Sequence, residues 1–193
     1  MLQSCLTSLS KLTPIEGVET EIIVIDNEPE GSEKARAAAE RFGAHYRHQP
    51  ERGIPQARNA ALDTARELGA THLAFIDDDE TADREWLAAL WAAAVKFDAD
   101  VVQGAVRYVF PQDAPKWRQR SGHAARKEKT GDPLAFVGTN NVLFRLDSIG
   151  ETRFDEALRL LGGEDITFFD AVEKRGCRIV FCREALTFET VPW

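Results

Sequence analysis

The sequence predicts an α/β fold in which helices flank a mainly parallel sheet. Apolar runs of strand length alternate with amphipathic stretches of helix length along the chain. The run at 21–26 (EIIVID) is almost continuously β-branched, which is typical of a strand buried on both faces of a parallel sheet. Acidic residues directly follow two strand-like runs, at Asp26 and at 77–80. Ligands of open parallel sheets bind at the carboxyl ends of the strands, so this pattern also predicts where a site lies.

Composition indicates a single domain of a soluble protein. The 193 residues are 44% hydrophobic and 29% charged, which is enough to form one core. The net charge of −8 argues against a general nucleic-acid binder, which presents a basic surface. Cys5, Cys177 and Cys182 form no CxxC pair and leave one cysteine over, which favours a reducing, cytoplasmic compartment. No apolar run approaches the roughly 18 residues of a membrane span.

Hydrophobic spacing and turn residues define the expected helices and strands. Four leucines recur at helical spacing between Leu2 and Leu12, so the chain is expected to open on an amphipathic helix. Pro55 suits the first turn of a helix, whereas Gly69 and Gly176 suit helix ends. The expected helices lie at 1–12, 32–42, 55–68, 83–97 (capped by Thr81 or Asp83) and 162–174. The expected strands lie at 21–26, 44–47, 71–76, 100–109, 178–182 and 185–189.

Four consecutive acidic residues at 77–80 follow the apolar run at 73–76. Like charges packed this closely repel one another unless they are fully solvated or bind a cation, and their hard oxygen ligands suit Mg²⁺ or Mn²⁺. Arg52 and Arg58 could add positive charge beside a diphosphate, whereas the sequence contains no GxxxxGK[ST] phosphate loop. The alternative interpretation is a solvated acidic loop that caps the next helix.

The segment at 110–134 has no helix or strand pattern and contains the basic stretch 116–129 (KWRQRSGHAARKEK). A long connection of this kind within a compact domain is usually functional or mobile. The basic stretch predicts contact with an anionic membrane surface or with the pyrophosphate of a lipid-linked acceptor. A flexible, solvated loop accounts for it equally well.

Five segments of the sequence together resemble the family 2 glycosyltransferases, which have the GT-A fold. The segments occur in the order and approximate spacing of that family and cover nearly the whole chain. They are EIIVIDNEP (21–29), RGIPQARNAAL (52–62), FIDDDE (75–80), FVGTNNVLF (136–144) and GGEDITFF (162–169). The wording FIDDDE, with ETVP at 189–192, resembles the members that build bacterial exopolysaccharides such as succinoglycan.

The resemblance implies a site for a nucleotide-diphosphate sugar. It implies that Asp26 holds the nucleotide base, that Asp77 lies near the ribose and that Asp79 binds the metal bridging the phosphates. Asp78 could replace either of the last two aspartates. Further contacts to the nucleotide sugar are implied for Asn27, Arg52, Arg58, Gly138, Thr139 and Asn140.

Asp165 resembles the catalytic base of the inverting members of the family, with Glu164 as the second candidate. A base there would take the proton of the acceptor hydroxyl as that hydroxyl attacks the anomeric carbon. The simpler alternative is that both acids complement the dipole at a helix N-terminus. Asp26 could likewise be a strand-end turn former, Arg58 a helix-surface ion pair and Gly138 an ordinary glycine turn. The Gly-Gly pair before Glu164 favours function, because glycines let a substrate approach closely.

Two features depart from the family pattern. The family begins with a central buried strand, whereas this chain is expected to open within the helix that follows it. Lack of that strand would expose backbone groups and favour self-association into a homo-oligomer. A family histidine that often joins the metal is replaced by Glu189, so the expected ligands of Mn²⁺ or Mg²⁺ are Asp77, Asp79 and Glu189.

The resemblance therefore implies a metal-dependent, inverting glycosyltransferase in the cytoplasm, peripheral to the inner membrane. It would move a sugar from a nucleotide-diphosphate donor to a glycan or polyprenyl-linked acceptor, with no nucleic-acid partner. Within one domain, 1–109 would form the nucleotide-binding half and 110–193 the acceptor-binding half. One alternative is a catalytically silent nucleotide-binding or assembly fragment, favoured by the missing strand. The other is a nucleotidyltransferase, for which the glycine-rich, lysine-bearing phosphate loop is lacking.

Overall fold

The computed structural model describes residues 1–111, 113, 115, 127–134, 136–159 and 162–191. The helices are α1 (Leu2–Leu9), α2 (Glu33–Arg41), α3 (Ile54–Glu67), α4 (Trp86–Phe97), α5 (Leu146–Ile149) and α6 (Glu164–Lys174), with a 3-10 turn at Glu156–Leu158. The strands are β1 (Ile23–Asp26), β2 (His45–His48), β3 (His72–Ile76), β4 (Glu80–Ala82), β5 (Val101–Val109), β6 (Asn141–Arg145) and β7 (Ile179–Thr190). Each predicted helix and strand is present, with ends shifted by a few residues.

The strands form two sheets, and the larger one is mixed rather than mainly parallel. Strands β1 and β2 form a parallel pair, and the other sheet has the order β3-β6-β5-β7-β4. Within it β5 and β7 are parallel, whereas the β3–β6, β5–β6 and β4–β7 pairs are antiparallel. The α/β prediction is confirmed, but the mainly parallel sheet is not. Strand β6 lies between β3 and β5 and runs antiparallel to both. Its direction was not predictable, because an apolar run does not encode the direction of a strand.

A gap separates the two sheets. Strand β3 is an edge of the larger sheet, and it is not paired with β1 in the part of the chain that the structure describes. Helix α3 packs against both strands and joins the sheets. All five residues of β3 are only partly buried, although the strand is apolar. The gap lies where the resemblance expects the family's first strand, and the exposed edge remains a predicted surface for self-association.

The core of the larger sheet lies on both of its faces. Val101 packs on the side of α3 and α6, whereas the next residue, Val102, packs on the side of α4. On the first side Phe154 stacks on Phe168 of α6, with ring centroids 4.0 Å apart. Both rings are almost fully buried, and this contact holds the first turns of α6 against the sheet. The aromatic core therefore fixes the helix that carries Asp165.

Three local predictions need correction. Glu80 does not belong to the loop after β3 but begins β4, where it is buried. Neither Thr81 nor Asp83 is the N-cap of α4, which is Glu85 without a side-chain cap; Asp83 Oδ1 instead accepts from the Glu85 N–H at 3.0 Å. The two predicted final strands are one twelve-residue strand, β7, whose pairing with β5 is interrupted by an irregularity next to Gly104. Gly176 has the predicted positive φ of 87° after α6.

Candidate active site

The acidic residues after β3 divide into an exposed and a buried part. Asp77, Asp78 and Asp79 are exposed, as expected for a loop at the end of a strand. Although Asp77 reaches solvent, the surrounding protein excludes enough water from its carboxyl group to raise the pKa to about 6. The carboxylates of Asp79, Asp165 and Asp78 add to this rise, and the charge of Arg58 opposes it. Crowded carboxylates of this kind favour a cation between them.

Glu80 is the buried member of the acidic run. One of its oxygens, Oε1, accepts from Asn140 Nδ2 at 2.9 Å. The other, Oε2, is buried without a hydrogen bond from the described residues, although the Thr187 hydroxyl lies close enough to lower the pKa. Burial outweighs these partners and raises the pKa of Glu80 to about 7. Glu189 stands opposite Glu80 in the β4–β7 register, and burial and the charge of Asp79 raise its pKa too.

The N-terminus of α6 presents two acids to one arginine. Gly162 and Gly163 have φ values of 71° and 88°, a conformation that other residues rarely adopt. Arg58 Nη1 lies 2.5 Å from Glu164 Oε1 and also binds Asp165 Oδ1. Only 15% of the Arg58 side chain is exposed, so this is not the helix-surface ion pair considered as the alternative. The sequence places Arg58 at the nucleotide, whereas the structure places it on the acids of α6 and close enough to Asp77 to lower its pKa.

Asp165 has a second partner in Thr139. The Thr139 N–H donates to Asp165 Oδ2, and the Thr139 hydroxyl donates to Oδ1, each at 3.2 Å. Burial raises the pKa of Asp165, and Glu164 adds to the rise; Arg58 and the two bonds from Thr139 oppose it. Gly138 does not have a positive φ, but a side chain on it would approach Asn140 Oδ1 to 3.1 Å. A side chain on Gly138 would therefore require Asn140 to shift slightly.

At the end of β1, Asp26 and Asn27 organise the neighbouring loops. Asp26 is 5% exposed and accepts from the Glu28 N–H, the Ser32 N–H and the Tyr46 hydroxyl, at 3.1, 2.6 and 2.6 Å. Burial alone would raise its pKa, but these bonds outweigh burial and lower it. Asn27 donates to the carbonyls at 49 and 51 and accepts from the N–H at 53. These contacts match a strand-end turn, and the predicted contacts to a nucleotide remain predictions.

The predicted metal ligands are near one another without forming a complete site. No group of three or more His, Cys, Asp or Glu side chains arranged to hold a metal occurs among the described residues. Asp79 nevertheless lies close enough to Glu189 to raise its pKa, and close enough to Asp77 to do the same. Arg52 is exposed beside the segment that Asn27 holds.

Two polar residues of the site region escape the sequence analysis. Gln103 and Asn141 are 2% and 0% exposed. The Gln103 side chain contacts both ends of the segment 138–141 that carries Thr139, and Asn141 is the last residue of that segment. The signal for Gln103 is the polar pair Gln103-Gly104 in the otherwise apolar run VVQGAV. A buried polar side chain in a central strand is costly unless it is fully hydrogen-bonded, so its presence indicates a specific task.

Comparison with known proteins decides the family. The model of the family described as "Glycosyl transferase family 2" matches residues 1–153. The chain belongs to glycosyl transferase family 2. Across 99% of its length it is 35% identical to the succinoglycan biosynthesis protein ExoM of Rhizobium meliloti (strain 1021), of which it spans 63%. The predicted resemblance to this family, and to its exopolysaccharide members, is confirmed.

Solved structures show the same fold. The crystal structure of S. aureus TarS 1-349 in complex with UDP-GlcNAc matches this family 2 chain with a TM-score of 0.75 and 18% identity. The match covers 100% of this chain and 55% of the TarS 1-349 chain. A structure of GalNAc-T7 with UDP, GalNAc and Mn²⁺ matches with a TM-score of 0.70, 17% identity and coverage of 95% and 40%. The GT-A fold is thereby confirmed. The chain spans little more than half of the TarS 1-349 chain and 34% of the chain in another TarS structure.

The predicted membrane contact falls mostly outside the described residues, because the structure describes only 127–129 of the basic stretch 116–129. Among the helices that are described, none is long and apolar enough to cross a bilayer.

Proposed function

We propose that this chain is the catalytic part of a metal-dependent, inverting glycosyltransferase. It transfers a sugar from a nucleotide-diphosphate donor to a glycan or polyprenyl-linked acceptor during synthesis of a cell-surface polysaccharide. The observation that carries the proposal is the pairing of Asp165 with Thr139 and Arg58 beside the carboxylates at the end of β3. Base-assisted displacement of a diphosphate needs a carboxylate at the acceptor, here Asp165, and an acidic loop that can hold a cation at the diphosphate, here the loop after β3.

In this mechanism Asp165 takes the proton of the acceptor hydroxyl. Thr139 and Arg58 orient its carboxylate and keep it ionised against the burial that raises its pKa. Glu164 pairs with the same arginine, and its negative charge offsets part of the effect by which Arg58 lowers the pKa of Asp165. The acceptor oxygen then attacks the anomeric carbon from the side opposite the departing diphosphate, which inverts the configuration at that carbon.

A divalent cation, Mn²⁺ or Mg²⁺, fits the donor set at the acidic loop. Asp77 and Asp79 are exposed carboxylates whose mutual repulsion a cation would relieve, and Glu189 lies close to Asp79. Such ions often use one or two carboxylates together with substrate phosphates, so a complete protein cage is not required. When bound, the cation neutralises charge that develops on the departing diphosphate. A UDP and Mn²⁺ complex of the similarly folded GalNAc-T7 supports this choice.

The donor is assigned to residues 1–109 and the acceptor to 110–193. We assign the base and ribose to Asp26, Asn27 and Asp77, with Asp78 as a substitute ligand. The diphosphate falls to Arg52, whose side chain is exposed, and to Arg58. We assign the sugar to Gly138, Thr139 and Asn140, which lie between the acidic loop and Asp165. The UDP and UDP-GlcNAc complexes of TarS support a uridine nucleotide donor.

The acceptor and location are proposed from the exopolysaccharide relative. Similarity to a succinoglycan biosynthesis protein supports a growing glycan, carried on a lipid at the inner face of the membrane. The protein would then act in the cytoplasm, with the basic stretch 116–129 at the membrane surface.

Calorimetry with UDP and GDP, each with and without Mn²⁺, tests the proposal. Micromolar binding of one nucleotide that weakens at least tenfold without Mn²⁺ is expected. Absence of metal-dependent binding to either nucleotide would favour a silent assembly fragment, which the gap between β1 and β3 also fits.

A further inference from the structure

Gln103 binds both ends of the segment 138–141, which contacts the candidate catalytic base Asp165. Its side-chain Oε1 accepts from the Gly138 N–H at 2.7 Å, and its Nε2 donates to the Asn141 carbonyl at 2.6 Å. These partners fix the orientation of the Gln103 carboxamide, because the Gly138 N–H requires the acceptor Oε1 and the Asn141 carbonyl requires the donor Nε2. Between the two clamped residues lies Thr139, with both of its bonds to Asp165.

The far end of the segment is anchored by a second buried amide. Asn141 Oδ1 accepts from Trp86 Nε1 at 2.8 Å, and its Nδ2 donates to the carbonyls of Ala105 and Ala185 at 3.0 Å. Gly104 makes room for this amide, because a side chain there would come within 2.1 Å of Asn141 Oδ1. The segment is therefore held at Asn141 by the core and at Asn140 by Glu80, whereas Gln103 holds its other end at Gly138.

We propose that Gln103 is a positioning residue for transfer: it holds the segment 138–141 so that Thr139 orients the Asp165 carboxylate. This inference rests on the proposed function for its catalytic consequence, but not for the clamp itself. Gln103 does not touch Asp165, so its effect passes through the Gly138 and Thr139 backbone.

The test uses the full chain and three variants. Gln103→Met keeps the length of the side chain and removes both bonds. Gln103→Glu still accepts from Gly138 but donates to the Asn141 carbonyl only when its carboxyl is protonated. Asn59→Leu is the matched control, because Asn59 is also a buried amide that binds both the N–H and the carbonyl of one residue, Phe154, at 3.0 Å.

The first measurement is amide hydrogen exchange at Gly138 and Thr139, followed by NMR. Gln103→Met should accelerate exchange at both amides by about tenfold, whereas Asn59→Leu should leave them within twofold of wild type. Equal acceleration in both variants, or none in Gln103→Met, would overturn the clamp. If Gln103→Met does not fold, Gln103→Glu decides. Its exchange at Thr139, relative to wild type at the same pH, should be slower at pH 5 than at pH 8, because only the protonated carboxyl also donates to the Asn141 carbonyl and holds both ends of the segment. No difference between these pH values would also overturn the clamp.

The second measurement is release of UDP from UDP-GlcNAc or UDP-glucose with Mn²⁺. Gln103→Met should lower kcat about tenfold or more, because positioning of the catalytic base affects the transition state. KM for the donor should rise by a smaller factor than kcat falls, since residues 138–140 are also assigned to the sugar. An unchanged kcat together with accelerated exchange would overturn the catalytic consequence. If the wild-type chain releases no UDP from either donor, the proposed function fails for these donors while the exchange measurement still decides the clamp.

Discussion

At the scale of single residues, the candidate base is defined by its partners. Asp165 receives two hydrogen bonds from Thr139 and an ion pair from Arg58, yet burial and Glu164 still raise its pKa. A carboxylate at a helix N-terminus that served only the dipole would not need a buried arginine and a second loop. The neighbouring Glu164 shares the arginine, which makes it the natural comparison for any substitution of Asp165.

Asp165→Asn should therefore abolish transfer while sparing donor binding. Loss of a general base lowers rates by roughly 10²–10⁴-fold, and the donor is assigned to other residues. Turnover and calorimetric affinity for the nucleotide are the measurements. Asp170→Asn is the control, since Asp170 lies on the same helix and pairs only across the surface with Lys174. Equal losses of turnover and affinity in Asp165→Asn would refute its role as base.

Glu80 gives a pH dependence of stability. Its pKa in the folded protein is about 7 against an ordinary value of 4.5, so the folded state binds more protons than the unfolded chain between these values. The free energy of unfolding should fall as pH rises from about 4.5 to 7, by up to roughly 3 kcal/mol from this group. Asp77 acts in the same direction over a lower interval.

Urea unfolding at pH 5 and pH 8 measures this effect. Glu80→Gln keeps an acceptor for Asn140 and removes the titration, so its loss of stability between these pH values should be clearly smaller than that of wild type. Glu16→Gln, at an exposed turn, is the control and should behave as wild type does. A Glu80→Gln variant with the full pH dependence would contradict the assignment.

At the scale of strands and helices, sequence reasoning succeeded where hydrophobic spacing was strong. Hydrophobic spacing predicts every strand of the larger sheet except β4 and β6. Strand β4 is only three residues long and begins with a glutamate, whereas β6 lies within the motif at 136–144, for which no strand is predicted. The direction of β6 was not predictable, since an apolar run does not encode its partner. The partners of Arg58 were not predictable for a similar reason, because only tertiary packing selects the acids of α6; its contact with the nucleotide stays a prediction.

Gly104 gives a test of the packing between β5 and β7. A methyl group there would lie 2.1 Å from Asn141 Oδ1 and 2.5 Å from the backbone oxygen of Ala185, which cannot move without opening the strand pair. Gly104→Ala should therefore cost roughly 3 kcal/mol of stability. Gly138→Ala should cost much less, because its nearest contact, at 3.1 Å, is the side chain of Asn140. Similar urea midpoints for the two variants would contradict this account.

At the scale of the whole molecule, the two walls of the proposed donor site belong to different sheets. Asp26 and Asn27 extend from the two-stranded β1–β2 sheet, whereas Asp77 and Asp79 extend from the five-stranded sheet. Two strands alone are marginally stable in water, so the smaller sheet depends on the helices that pack on it. Helix α3 joins the sheets and carries Arg58 to the acids of α6. A donor that contacts both walls would add a second link between the sheets.

Amide hydrogen exchange of the whole chain tests this coupling. Without ligand, the amides of β1 and β2 should exchange at least tenfold faster than those of β5 and β6, because the smaller sheet opens without global unfolding. Saturating UDP with Mn²⁺ should slow β1 and β2 more than β5, since a ligand that needs both walls stabilises only the state in which they are joined. UDP without metal should protect the amides of β1 and β2 less than UDP with Mn²⁺ does. Asp77→Asn should reduce the additional protection that Mn²⁺ gives. Uniform exchange in the two sheets, or protection confined to β3, would show that the walls are not joined through the donor.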